Sequence, residues 1–72
     1  MQNLTIRDNE ILEFIRNYIK EHGYAPTYDE IGAGVQLYSK SSVYEHVKKL
    51  IYLGEIETDH PGSSRAIRLK TV

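Results

Sequence analysis

The sequence predicts an α+β domain: a three-helix winged helix-turn-helix with a C-terminal β-hairpin wing. Three stretches carry apolar residues at helical spacing, and each follows a capping residue. Only Gln36-Leu37-Tyr38 separates the second stretch from the third, which leaves room for a tight turn. After Gly54 the apolar residues alternate, as in strands. Since the 72 residues contain no repeat or linker, we expect a single domain over residues 1–72.

Helix 1 is predicted over about residues 6–22. Thr5 and Asp8 have the spacing of a capping box, and Gly23 is suited to the left-handed conformation that ends many helices. Its buried stripe is expected to comprise Ile11, Leu12, Ile15, Tyr18 and Ile19.

Helices 2 and 3 follow in quick succession. Thr27 and Glu30 form a second capping box, from which helix 2 extends to about Val35. Helix 3 is predicted over about residues 41–53, with Ser39 or Ser41 as its cap. Its expected buried residues are Val43, Val47, Leu50 and Ile51.

Two strands complete the chain. Residues 55–58 and 65–70 are predicted to pair across the polar loop "DHPGSS". In the second strand Arg65, Ile67 and Leu69 would share one face.

The first turn of helix 3 is unusually rich in small polar residues. Its serines exceed what one cap requires, and the second helix of a helix-turn-helix places its N-terminal residues against base edges in the major groove. Ser41 and Ser42 can exchange hydrogen bonds with several bases, and Glu45 can accept from a cytosine amino group. Tyr44 can contact a thymine methyl group or a phosphate. The helix therefore has the features of a recognition helix.

Other residues are candidates for contacts with the DNA backbone. Lys40, Lys48 and Lys49 supply positive charge on helix 3. Hydroxyl, amide and guanidinium groups of the wing are usual phosphate partners, although a solvated hairpin loop is an equally good interpretation. The wing candidates are Ser63, Ser64 and Arg65. Arg7, Thr27 and Tyr28 lie at helix starts that can also reach the backbone, and Thr27 is as well explained by its capping role.

The overall charge favours a different interpretation. The net charge is −1 and the sequence pI about 6.3, which argues against a nucleic-acid-binding protein. The charge is uneven, however: residues 1–38 have three basic and six acidic side chains, and residues 39–72 have six basic and four acidic. The alternative function is a winged helix that binds another protein, which the outward tyrosines Tyr44 and Tyr52 would favour.

The sequence resembles the N-terminal DNA-binding domain of the LexA repressor family. The resemblance begins at "LTIRDNEILEFIRNYIKEHGYAPTYDEIG" and continues through "SSVYEHVKKL", "LGEIE" and "RAIRL", so it covers nearly the whole chain. It implies a repressor of DNA-damage (SOS) response genes that binds a palindromic operator as a dimer. It also implies base contacts from Ser39, Ser41, Ser42, Tyr44 and Glu45.

Two departures from the family pattern affect the expectations. Gln36 stands where the family usually has glycine, so we expect it to adopt positive φ at a cost of roughly 1 kcal/mol, or the turn to be built differently. The family's C-terminal domain, which holds a Ser-Lys self-cleavage dyad and the main dimer interface, is not in this sequence. We therefore expect a chain that cannot cleave itself, is monomeric in solution, and is either an excised domain or a naturally short regulator.

The sequence predicts no enzyme, metal or other cofactor. His22, His46 and His60 fall in separate elements without the spacing of metal ligands. No serine is placed beside a base in a cleft. Since no apolar run approaches about 18 residues, and no signal peptide is evident, a cytoplasmic, nucleoid-associated protein of bacterial or phage type is expected.

Overall fold

A computed structural model describes residues 4–60 and 64–70. Its elements are α1 (Ile6–His22), α2 (Tyr28–Val35), α3 (Lys40–Tyr52), β1 (Ile56–Thr58) and β2 (Ile67–Leu69), with a 3-10 turn at Ser64–Ala66. The two strands form an antiparallel hairpin after the helices. This arrangement confirms the predicted α+β winged helix-turn-helix.

Local capping explains where the helices begin. The Thr5 hydroxyl accepts from the Asp8 amide, and the Asp8 carboxylate accepts from the Thr5 amide at 2.8 Å. Thr27 and Glu30 form the same reciprocal pair at the start of α2. The predicted bounds of helices 1 and 2 are thus confirmed. Ser39 caps α3, which starts one residue earlier than predicted and ends at Tyr52.

The core lies between the three helices and the hairpin. Most of the predicted inner stripes of α1 and α3 is buried: Ile11, Leu12 and Ile15 on one helix, and Val43, Val47 and Leu50 on the other. Tyr18, Ile19 and Ile51, predicted with them, are only partly buried. Ile31 of α2 and Ile56 and Ile67 of the hairpin complete the contact. These aliphatic side chains fix the side that α3 turns inward, and so decide which of its residues face solvent.

The short turn between α2 and α3 folds back on the end of α2. The Leu37 amide donates to the Gly32 carbonyl at 2.8 Å. A Cβ on Gly32 would lie 2.5 Å from the Leu37 carbonyl oxygen, so this close approach requires glycine. Gln36 has φ 58° and ψ 42°, which confirms the expectation of positive φ at this position.

The hairpin differs from the prediction at its second strand. Ile56 pairs with Leu69, Glu57 with Arg68 and Thr58 with Ile67. Arg65 and Ala66, predicted to begin the strand, instead form the 3-10 turn. The Arg65 guanidinium donates to the Ala25 carbonyl at 2.9 Å, so Arg65 contacts the segment before α2 and is not among the residues that pair with β1.

Candidate nucleic-acid interface

The outward side of α3 carries most of the predicted base-contact residues. Ser39, Ser41 and Glu45 are exposed, whereas Ser42 and Tyr44 are half-buried. Ser41, Glu45 and Lys48 follow the i, i+4, i+7 spacing of one helical face, opposite the buried valines. The structure therefore brings hydrogen-bonding groups, an aromatic ring and a cation together on one side of α3. We call this side the ridge; it comprises Ser41, Tyr44, Glu45 and Lys48.

Two tyrosines link this ridge to the start of α2. The rings of Tyr28 and Tyr44 meet edge to face, with centroids 5.8 Å apart and planes inclined at 77°. Burial, with a smaller contribution from Tyr44, raises the pKa of Tyr28 above its usual range. The Lys48 ammonium lies 5.5 Å from the centroid of the Tyr44 ring. Tyr44 is thus held between α2 and Lys48, which limits the directions in which its hydroxyl can point.

The three lysines of α3 have different surroundings. Lys40 lies 3.6 Å from an Asp29 oxygen, and Lys48 lies 3.8 Å from a Glu45 oxygen. All four side chains are mostly exposed, and such pairs contribute only about 0–1 kcal/mol. Both ammonium groups can therefore turn to another anion. Lys49 instead contacts the Asp8 carboxylate at 2.6 Å, and its side chain is only 29% exposed.

Asp8 was not among the predicted site residues. It is the buried charged residue of the described part of the chain, with no exposed surface. Burial by itself would raise its pKa, but Lys49, the Thr5 amide and His46 outweigh this effect and hold the pKa well below its usual range. His46 Nδ1 lies 2.6 Å from Asp8 Oδ1. The i, i+3 spacing of His46 and Lys49 was visible in the sequence, but their common partner on α1 was not.

The remaining predicted cations also have protein partners. The Arg7 guanidinium donates to the Val35 carbonyl and lies 3.5 Å from Glu10. Arg65, besides its bond to Ala25, lies 3.5 Å from Glu30 and 4.8 Å from the centre of the Tyr24 ring. These contacts tie α1 to the end of α2, and the wing to the segment before α2.

Glu30 contacts three residues near the wing, namely Thr27, Tyr18 and Arg65. The Thr27 amide donates to it at 2.7 Å, and the Tyr18 hydroxyl donates at 3.1 Å. The Thr27 bond lowers the pKa of Glu30 against the opposing effect of burial, and Tyr18 and Arg65 add to this lowering. Burial raises the pKa of Tyr18, with Glu30 adding to the effect. Thr27 is therefore occupied as a cap, while its position at the start of α2 remains compatible with a backbone contact.

The structure leaves two of the predicted wing residues untested. Ser63 lies outside the described residues. Ser64 begins the 3-10 turn, and its side chain also lies outside the description. Within residues 4–60 and 64–70, no group of three or more His, Asp or Glu side chains is placed to hold a metal ion. No helix in that same part of the chain has the length and apolarity needed to span a membrane.

Comparison with known proteins identifies similar sequences. A family model described as "LexA DNA binding domain" matches residues 1–66. The LexA repressor of Pseudomonas aeruginosa is 44% identical over 69 residues, which are 96% of this chain and 33% of that protein. The LexA repressor of Cellvibrio japonicus is also 44% identical over 69 residues, covering 96% of this chain and 34% of that protein. The chain thus spans about a third of the length of the curated relatives it matches.

Proposed function

The chain belongs to the LexA DNA binding domain family, and we propose that it is the DNA-binding domain of a transcriptional repressor. In this proposal α3 recognises a specific sequence of double-stranded DNA. The observation that supports this assignment is the exposed ridge on α3. The valine-leucine stripe behind it is buried, so the ridge is held outward by the core. A helix presented in this way fits the major groove.

We propose that the base contacts come from the first two turns of α3. Ser39, Ser41 and Ser42 are short enough to let the helix end approach the groove floor, and their hydroxyl groups can donate or accept. Glu45 accepts from a cytosine amino group, and Tyr44 contacts a thymine methyl group or a phosphate. Of these five residues, only Ser39 also has a capping role, since its hydroxyl accepts from the Ser42 amide.

Backbone contacts are proposed on both sides of this ridge. Lys40 and Lys48 have exposed ammonium groups held only by weak surface pairs. Thr27 and Tyr28 lie at the start of α2, and Ser64 begins the 3-10 turn. Ser63, which precedes it in the sequence, is also proposed. Phosphate contacts from Arg7, Lys49 and Arg65, also predicted from the sequence, would require these side chains to share or leave their protein partners.

The proposed DNA partner is a palindromic operator of DNA-damage-response genes, bound by two copies of the domain. A two-fold symmetric pair of recognition helices would read two half-sites about one helical turn, or a multiple of it, apart. We further propose that the isolated chain is monomeric in free solution, pairs on DNA, acts in the cytoplasm on the nucleoid, and has no catalytic role of its own.

Selection of bound duplexes from a random pool tests the proposal. We expect enrichment of a two-fold symmetric motif, with affinity that falls as salt rises because bound phosphates release counterions. Ser41→Ala and Glu45→Gln should change the preferred bases, each mismatch being worth about 1–3 kcal/mol. Lys48→Met should instead weaken binding to every sequence alike and reduce the salt slope by about 1.

The alternative is a protein-binding winged helix. It is favoured by Tyr52, which is 81% exposed at the end of α3. Failure of the wild-type chain to retain any duplex at low salt, together with retention of a specific partner protein lost in Tyr52→Ala, would support this alternative over DNA binding. Enrichment of a DNA motif that Tyr52→Ala leaves unchanged would reject it.

A further inference from the structure

A buried carboxylate joins the first turn of α1 to α3. Asp8 has no exposed surface, and its two oxygens are used by different partners. Oδ1 faces His46 Nδ1 at 2.6 Å, while Oδ2 accepts from the Lys49 ammonium at 2.6 Å and the Thr5 amide at 2.8 Å. Two of these three partners lie on α3, one helical turn apart. His46 directly follows Glu45, the last residue to which we assign base reading, and Lys49 lies three residues further on.

We propose that Asp8 is a positioning residue for DNA binding: it holds the middle of α3 against α1 and keeps Lys49 within the protein, which leaves Lys48 as the phosphate-binding lysine of the pair. This inference rests on the proposed function of α3. It assigns different roles to two adjacent lysines that the sequence does not distinguish.

The surroundings of the two lysines support different roles. Lys48 is 60% exposed and lies near one surface carboxylate at 3.8 Å. Lys49 is 29% exposed and neutralises a carboxylate that has no contact with solvent. Moving Lys49 to a phosphate would leave that buried charge poorly compensated, which is among the costly changes in a protein interior. A phosphate would therefore attract Lys48 more readily than Lys49.

The same contacts bear on the geometry of base reading. His46 follows Glu45 directly, and successive residues in a helix rise by about 1.5 Å. A small shift of α3 at His46 would therefore also displace the ridge at Ser41 and Glu45. Because base contacts require closer geometry than phosphate contacts, loosening this anchor should affect specific binding more than non-specific binding.

Charged and polar groups from both helices surround this carboxylate. The groove beside it is lined by Thr5 and Asp8 from the α1 end, and by α3 residues on the other side. The α3 residues are Glu45, His46, Lys48, Lys49 and Tyr52. Lys48 and Glu45 line the same groove as Asp8, but neither has a hydrogen bond to it among the described contacts. Lys48→Met is therefore a matched control for Lys49→Met, with the same change in charge and side-chain length.

The first test measures binding of these two variants to the enriched duplex and to a random duplex over a range of salt. Lys48→Met should reduce the salt slope by about 1 on both duplexes. Lys49→Met should leave the slope unchanged and weaken only specific binding, by about threefold to tenfold. All measurements are made well below the unfolding temperature of each variant, so that loss of folded protein does not contribute.

The second test is a thermal-unfolding cycle of Asp8→Asn, Lys49→Met and the double variant, without DNA. Each single change should lower Tm by on the order of 10 °C, because it breaks a buried ion pair. The double variant should lose clearly less than the sum of the two, since residues in direct contact are coupled. Asp8→Asn should also lower the ratio of specific to random binding, although its side chain is buried and is assigned no DNA contact.

Equal losses of salt slope in Lys48→Met and Lys49→Met would overturn the inference, as would additive Tm changes or an unchanged specificity ratio in Asp8→Asn. A wild-type chain that binds no duplex would instead refute the proposed function. The unfolding cycle would in that case still test whether Asp8 and Lys49 are coupled, so the two failures are distinguishable.

Discussion

Replacing Gln36 by glycine should stabilise the domain. Gln36 has φ 58° and ψ 42°, a left-handed conformation that costs a side-chain-bearing residue roughly 1–2 kcal/mol. Its side chain is exposed, so its loss removes little buried surface. Glycine relieves the strain but makes the unfolded chain more flexible, which offsets about 0.4–1 kcal/mol. The difference between these two ranges is centred at about 0.8 kcal/mol, which is roughly 3–6 °C in Tm for a domain of this size.

Thermal unfolding followed by circular dichroism measures this change, and Gly23→Gln is the matched reciprocal variant. Gly23 has φ 82° at the end of α1, and a Cβ built on it meets no described atom within 4 Å. Its replacement should therefore lower Tm through backbone strain alone. A fall in Tm for Gln36→Gly would refute the reasoning, because it would mean that the glutamine side chain contributes more than its backbone strain costs.

Two further predictions concern acid stability and the wing. The folded-state pKa of Asp8 lies below its unfolded value of about 3.9, so its contribution to stability is present above that pH and is lost as the pH falls below it. Urea unfolding at pH 7 and pH 3 should show a smaller acid-induced loss in Asp8→Asn than in wild type, and equal losses would contradict this assignment. Arg65→Met should speed amide exchange in β2, because it removes the bond to Ala25 and the pairing with Glu30. If Arg65→Met instead left amide exchange in β2 unchanged but reduced the salt dependence of DNA binding, Arg65 would be a phosphate contact.

The sequence predicted well those helices whose ends are determined by neighbouring residues. The capping boxes at Thr5 and Thr27 and the glycine after α1 depend on residues within one helical turn, and the bounds of α1 and α2 follow from them. The start of β2 was predicted wrongly. Alternation from Arg65 to Lys70 indicates a strand, but the distant carbonyl of Ala25 holds the Arg65 guanidinium and the chain forms a 3-10 turn there. A contact 40 residues away in sequence has no local signature.

The sequence also did not show which cations pair with the acidic residues. These pairs matter because the net charge of −1 was an argument against DNA binding. The value of −1 gives every carboxylate the same weight. In the structure Asp8 is buried against Lys49, and Glu30 is occupied by the Thr27 cap, Tyr18 and Arg65. The potential that a phosphate meets at α3 depends on exposed charges within about 10 Å, since more distant ones are screened by salt. Each of these ion pairs removes one positive and one negative charge, so the position of the remaining charges decides. Residues 39–72 contain six basic and four acidic side chains, and a domain with slight net acidity can therefore still present a face that accepts DNA.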